Sequence, residues 1–355
     1  MNAPDAGSAP GSGNAPSAPV ALARSLPPGQ PEVLADRGEV TVVRVGEAVA
    51  KAHPAGTDLG TLAARLRAAA SPALADVLLP PLRPARPDRL PDGRPVTRWP
   101  YGAPVDPAAV PWEAAGTLLA RLHATDLAAL GPRPPAGAPA RAARALARLR
   151  RAPTDPAHAK AREAAEQILA TTVAASATGQ ARAAAASGAP AAEPGSGERP
   201  DVLPEAAADA GSGDRAGDSA GPSPDVLPEA PGGALCHGDF HLGQLVRHPA
   251  PEGDWRLIDV DDLGVGDPAW DLARPAAWYA AGLLPGADWE RLLGAYRAAG
   301  GGPAGDPWAW LDGPARALTA QYAALALVRS ARDGRPPGEQ DLALLESCLR
   351  IAALS

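Results

Sequence analysis

Asparagine is nearly missing from this chain, standing only at Asn2 and Asn14. Any chemistry further along that needs a carboxamide must therefore use glutamine. Lysine is almost as scarce: Lys51 and Lys160 are the only two among 33 basic residues, and all the others are arginine. Cysteine occurs twice, at Cys236 and Cys348, which gives neither a disulfide framework nor a metal-binding spacing. No apolar run approaches the length of a membrane span. The N-terminus has no basic start followed by an apolar stretch, so no secretory signal is read and the expected compartment is the cytoplasm. A surplus of basic charge is absent too, with 33 Lys and Arg against 40 Asp and Glu. Residues 171–233 hold nine acids against three arginines, so the rest of the chain is close to neutral. Nothing implies the basic surface that a phosphate backbone requires, and neither nucleic acid nor a membrane is an expected partner.

Alanine, proline and glycine are plentiful instead, with 43 Pro and 38 Gly. Residues 1–30 are almost entirely Ala, Pro, Gly and Ser, and residues 171–233 are similar. Such segments carry too little apolar side chain to offset chain entropy, so both are expected to be disordered, the first as a tail and the second as an acidic insert. The insert contains Asp-Val-Leu-Pro-Glu-Ala twice, at 201–206 and 225–230, which is read as local duplication. The expected layout is a strand-rich lobe over 31–102 and a larger helical lobe over 103–355.

Within the first lobe, Glu39–Val45 and Ala48–His53 flank a Gly46-Glu47 turn, a hairpin signal. A helix is predicted over Thr57–Ala70 and a short strand near Val96–Trp99, with a break at Pro100-Tyr-Gly102. Trp112 to Ala124 is amphipathic, with Ala115, Leu118, Leu119 and Leu122 in its stripe. Helices are predicted near 138–151 and 156–170, then short strands at Ala234–Cys236 and Arg256–Val260. Four further helices, roughly 268–282, 287–299, 307–331 and 338–353, complete the chain. The aromatics of those last helices, among them Trp270, Trp278, Trp308, Trp310 and Tyr322, are read as core.

The chemistry concentrates between residues 235 and 273. Leu235-Cys-His-Gly-Asp-Phe-His-Leu-Gly-Gln-Leu245 is followed by Leu257-Ile-Asp-Val-Asp-Asp262 and Gly266-Asp-Pro-Ala-Trp-Asp-Leu-Ala273. Phosphoryl transfer needs a carboxylate for the acceptor hydroxyl, oxygen ligands for Mg²⁺ and a cation for the nucleotide phosphates. Asp239 sits in a loop straight after a strand. Gln244 returns a carbonyl to that loop, and Asp259 is expected to end the next strand. Lys51 stands in the first lobe, a lone lysine where drift to arginine has removed nearly every other. A compact ammonium suits phosphate pairing there better than a planar guanidinium.

The run His-Gly-Asp, four residues, an amide, then hydrophobic-Asp and Gly-Asp-Pro-x-x-Asp-Leu-Ala resembles the signature of the aminoglycoside phosphotransferase and choline kinase superfamily. That resemblance implies a bilobal, protein-kinase-like α+β fold and an ATP- and Mg²⁺-dependent O-phosphotransferase with a small-molecule acceptor. It implies Asp239 as catalytic base, Gln244 and Asp259 as Mg²⁺ ligands, and Lys51 as the phosphate-pairing lysine. His237 and Asp271 are implied as supports, and Trp99 to Gly102, with Tyr101, as the hinge that receives adenine. Asp261 and Asp262 are candidates to face a cationic acceptor.

Departures from the pattern are also legible. Glutamine stands at 244 where the superfamily usually has asparagine, and His-Gly-Asp-x-His-Leu-Gly-Gln resembles maltokinases and bacterial glucosamine kinases. The expected acceptor is therefore a sugar or aminosugar, with an aminoglycoside or other antibiotic as the alternative. Only Asp36-Arg-Gly38-Glu precedes the first valine-rich strand, in place of a strong glycine loop. The helix after Lys51 carries no Glu, and Asp58 is the only acid near it. These two gaps keep open a nucleotide-binding pseudokinase. A protein kinase is disfavoured, because no activation segment ending in Ala-Pro-Glu is present.

Overall fold

The computed structural model describes residues 17–37, 39–83, 87–186 and 233–354, with side chains omitted over 177–186. Its first lobe is built on alternation. In β2 (Val40–Val45) Thr41, Val43 and Val45 are buried while Val42 and Arg44 face the other way. Gly46, at φ 57°, turns that strand into β3 (Ala48–Ala52), a left-handed conformation that glycine adopts without strain. β1 (Pro31–Arg37), β4 (Asp88–Arg89) and β5 (Pro95–Pro100) complete an antiparallel sheet ordered β1-β2-β3-β5-β4. Lys51 pairs across with Val42 on one side and Thr97 on the other. By alternation Val42, Val49, Lys51, Thr97 and Trp99 share one face.

The opposite face corrects the expectation of a disordered tail over residues 1–30. Helix α1 (Ala18–Arg24) packs on it, and Leu22 and Leu26 join Val43, Val45, Ala50, Ala52, Leu90 and Val96 in a core. Composition averaged over thirty residues hides two leucines placed where the sheet needs cover. The remainder of that expectation, residues 1–16, lies outside the described residues. Leu22 is fully buried, so Leu22→Ala is expected to cost about 2 to 5 kcal/mol in chemical denaturation. A variant within a few tenths of the parent would mean that α1 does not belong to this core.

Beyond the Tyr101-Gly102 connection, β6 (Ala103–Pro104), β8 (Leu245–His248) and β9 (Asp254–Leu257) form a small sheet, and β7 (Ala234–Cys236) pairs with β10 (Gly264–Gly266). These ribbons carry the loops of interest. Two further elements meet them: α2 (Leu59–Ala69), and the segment Val77–Leu79, which hydrogen-bonds to Leu257 on both sides. The main core lies below, where α3 (Trp112–His123) packs on α7 (Gly286–Ala298) and beside α6 (Ala269–Ala280). At Gly116 the helices approach so closely that a Cβ would meet the Leu292 carbonyl.

A second core joins α4 (Ala138–Arg151), α5 (Ala159–Ala186), α8 (Trp308–Asp333) and α9 (Glu339–Ala353). Helix α5 overturns part of the expected insert, because it continues from Ala159 through residue 186. The run Thr171–Ala186 is rich in alanine, the strongest helix former, and Val173 still packs on the second core. The two Asp-Val-Leu-Pro-Glu-Ala copies lie outside the described residues. No helix among the described residues is long and apolar enough to cross a membrane.

Candidate active site

The loop after β7 is fixed by one carboxylate. Asp271, fully buried in the first turn of α6, accepts the backbone N–H groups of His237 at 2.6 Å and Gly238 at 2.7 Å. His123 of α3 donates to it through Nε2 at 3.0 Å, and the other ring nitrogen of His123 meets the Tyr296 hydroxyl at 2.9 Å. Burial pushes the Asp271 carboxyl up; His123, His237 and the Gly238 N–H together outweigh that and hold it below the ordinary carboxylate range. Gly238, at φ 81°, sits against the Asp262 carbonyl where no Cβ fits. His237 donates from Nε2 to the Ile258 carbonyl at 2.7 Å, which leaves Nδ1 to accept the Asp239 N–H at 3.4 Å. His237 and Asp271 thus build the loop and leave the Asp239 side chain free to project.

That side chain lies among arginines the sequence reading missed. Asp239 Oδ1 accepts from Arg274 of α6 at 2.6 Å and lies 2.9 Å from Arg141 of α4. Arg141 also reaches Asp262 at 2.7 Å. Burial raises the Asp239 pKa, with Arg141 and Arg274 partly opposing. Arg274 in turn stacks on Tyr322, whose ring meets Trp278 edge-on. Arg141 comes from a helix about a hundred residues before the motif, and Arg274 directly follows its last alanine, but both stand among many other arginines and neither was marked.

Asp259 lies two residues past β9 rather than at a strand end, and it corrects that expectation. It is the only non-glycine residue with positive φ among those described, at 62°. A left-handed aspartate is uncommon and costs energy unless its surroundings fix it. Its surroundings include Lys51, whose Nζ is 2.7 Å from Asp259 Oδ1 and 2.8 Å from Asp261 Oδ2. Burial opposes the Lys51 charge, but the two carboxylates outweigh it and raise the pKa. Asp261 is therefore turned toward Lys51 and not toward an acceptor, whereas Asp262 joins the arginines beside Asp239.

Gln244 is buried, in the turn Leu242–Gln244, with its backbone carbonyl taken by the Ile258 N–H at 2.9 Å. Its carboxamide Nε2 lies 3.1 Å from His241 Nε2. His241 Nδ1 accepts the Gly243 N–H, so the neutral ring carries its proton on Nε2 and needs an acceptor. Turned over, the carboxamide would meet that need with Oε1, whose second lone pair would stay available. Burial, then the charges of Arg274 and His237, lower the His241 pKa to about 4. The donor set is thus a carboxylate and a carboxamide oxygen on neighbouring loops, hard ligands that fit Mg²⁺.

The expected hinge is more structural than its sequence implied. Tyr101 donates its N–H to the Glu47 carbonyl at 2.8 Å and accepts from His248 Nδ1 at 2.9 Å, so both its backbone groups are taken. Its ring lies under the Arg44 guanidinium, 3.3 Å from CZ to centroid. A Cβ at Gly102 would collide with Val246, so glycine there lets the connection pack on β8. Trp99 keeps to the Lys51 face and donates from Nε1 to Thr97 Oγ1 at 3.0 Å.

No protein-family model and no curated protein matches the chain. Solved structures do. A choline/ethanolamine kinase family protein from Mesorhizobium loti is 18% identical with a TM-score of 0.52, covering 95% of this chain and 92% of its own. Amicoumacin kinase, solved with AMP-PNP and Ca²⁺, is 14% identical at a TM-score of 0.53, over 91% of this chain and 87% of its own. A thermostable mutant of an aminoglycoside phosphotransferase is 14% identical at 0.52, covering 92% and 96%. The chain has the bilobal α+β fold that these phosphotransferases share.

Proposed function

We propose that the chain is a small-molecule kinase that moves the γ-phosphoryl group of ATP onto a hydroxyl of a sugar or aminosugar. The observation that carries this reading is a pair of ionic groups in a kinase-like fold, brought side by side by the adjacent residues Asp261 and Asp262. One joins Lys51 to Asp259 and Asp261, and the other joins Asp262 through Arg141 to Asp239. A phosphate-pairing cation, a ligand for the metal and a base thereby share one cleft.

In the mechanism that follows, Asp239 orients the acceptor hydroxyl and takes its proton as the O–P bond forms. The raised pKa of Asp239 makes it a better base than a solvated carboxylate. Asp259 and the Gln244 carbonyl would hold Mg²⁺, which neutralises phosphate charge when bound. Lys51 orients the phosphates for in-line transfer. Positioning and electrostatics then supply most of the rate.

Charge supports this choice of acceptor class. Asp239 and Asp262 are already paired with Arg141 and Arg274, so this balanced cluster offers a polycation little net attraction. A neutral or singly charged ring does not depend on such attraction. Coupled ADP release with Mg-ATP across glucosamine, glucose, maltose, kanamycin, spectinomycin and a macrolide tests this. The expected result is a kcat/KM for one sugar at least tenfold above every antibiotic. A preference for an aminoglycoside would overturn the acceptor assignment while leaving the transfer reaction in place.

A further inference from the structure

Helix α2 lies where a partner for Lys51 is expected, yet it supplies no acid to it. Its one nearby carboxylate, Asp58, is the N-cap and accepts the Thr61 N–H at 2.6 Å. Instead α2 contributes Arg65, which donates to the backbone carbonyls of Leu263, at 2.9 Å, and Asp261. The partner comes from the turn that Arg65 grips, because Asp261 Oδ2 lies 2.8 Å from Lys51 Nζ.

The far side of Asp261 is held as firmly. His53, fully buried on leaving β3, places Nδ1 3.3 Å from the same Oδ2 and Nε2 2.9 Å from Thr97 Oγ1. The acceptor-only carboxylate sets the direction of this chain. Asp261 can only accept, so His53 donates to it from Nδ1. Nε2 of the neutral ring is left to accept the Thr97 hydroxyl proton, while the Thr97 oxygen accepts from Trp99 Nε1–H. The His53 proton is then on Nδ1, facing Asp261. Trp99, Thr97 and His53 form one directed chain of donors that ends on the Asp261 carboxylate, which also accepts from Lys51.

We propose that Asp261 is the positioning carboxylate for Lys51, held by His53 and Arg65 in place of an acid on α2. It rests on the kinase reading of this cleft. It divides the labour of two neighbouring acids. Asp261 keeps the ammonium extended toward the phosphates whether or not metal is present, and Asp259 serves the cation. Neither Asp261 nor His53 touches a reacting atom in this scheme; both act through Lys51.

The test is calorimetric titration of ADP and AMP-PNP into the full chain, with and without Mg²⁺. Asp261→Asn is expected to weaken nucleotide binding about tenfold in both conditions, the size of one charge-assisted hydrogen bond. Asp259→Asn is expected to abolish the gain on adding Mg²⁺, whereas the gain survives in Asp261→Asn. Lys51→Met should weaken binding in the parent but add little on top of Asp261→Asn, and Asp261→Glu should recover part of the loss. His53→Asn, which keeps a donor near the Nδ1 position, should bind better than His53→Ala. Unchanged or tighter metal-free binding by Asp261→Asn, or independent effects of the Lys51 and Asp261 changes, would overturn the proposal alone. Absence of nucleotide binding by the parent protein would overturn the kinase reading and the proposal with it.

Discussion

Asp239→Asn is expected to lower acceptor-dependent ADP release by about 10² to 10⁴, the span usual for a general base, while the thermal midpoint stays within a few degrees. The variant keeps an oxygen for Arg274 or Arg141 but loses the charge that takes the proton. Because Asp239 is partly exposed at the end of a loop fixed elsewhere, its loss should not loosen the fold. Asp239 and Asp262 offset Arg141 and Arg274 in the parent, so the variant leaves an unbalanced positive charge in the cleft. A modest tightening of nucleotide binding is expected from that change. Turnover within threefold of the parent, with the acceptor and Mg-ATP saturating, would sink the assignment of the base.

The largest effect on stability is expected at Asp271. It is fully buried and accepts from His237 N–H, Gly238 N–H and His123. Asp271→Ala would strand two backbone donors and a histidine inside the protein. Breaking such a buried, paired charge costs about 3 to 5 kcal/mol, readable as a shift in the denaturant midpoint. Asp271→Asn should do little better, since its amide nitrogen would face a second donor. The sign of the pH dependence follows from the depressed carboxyl. The stabilisation is present above the ordinary carboxylate pKa of about 3.9, and it disappears as pH falls through the lower folded-state value. The parent should therefore lose stability more steeply in acid than Asp271→Asn does. Parallel acid limbs for the two proteins would contradict this role.

What the sequence made legible divides along physical lines. Contiguous features were readable: the His237–Asp239 loop, Asp259 and Asp271 stand close in the chain, and the structure joins that loop to Asp271 by hydrogen bonds. Helices with strong apolar periodicity, such as α3, were readable for the same local reason. Long-range charge was not. Arg141 meets Asp239 only because α4 packs beside the loop; Arg274 directly follows the motif, but in a chain this rich in arginine neither stands out. Asp261 was expected to face an acceptor, since nothing local shows that a residue 210 positions earlier reaches it. Lys51 was found by the opposite logic, its rarity making it visible.

Composition misled where a few residues outweigh an average. Leu22 and Leu26 turn part of an Ala-Pro-Gly tail into cover for the sheet. The alanines past residue 170 read as low complexity but extend α5 to residue 186. Both errors arise because disorder was judged from segment averages, whereas burial depends on where individual side chains fall.

The central claim is that this cleft transfers a phosphoryl group to a hydroxyl through Asp239. Phosphorus NMR of Mg-ATP incubated with the protein and the sugar panel tests it most directly. The account predicts a new phosphomonoester resonance growing with ADP for at least one sugar, and none with Asp239→Asn. ADP appearing only with inorganic phosphate, or intact ATP across every acceptor despite measured nucleotide binding, would contradict it.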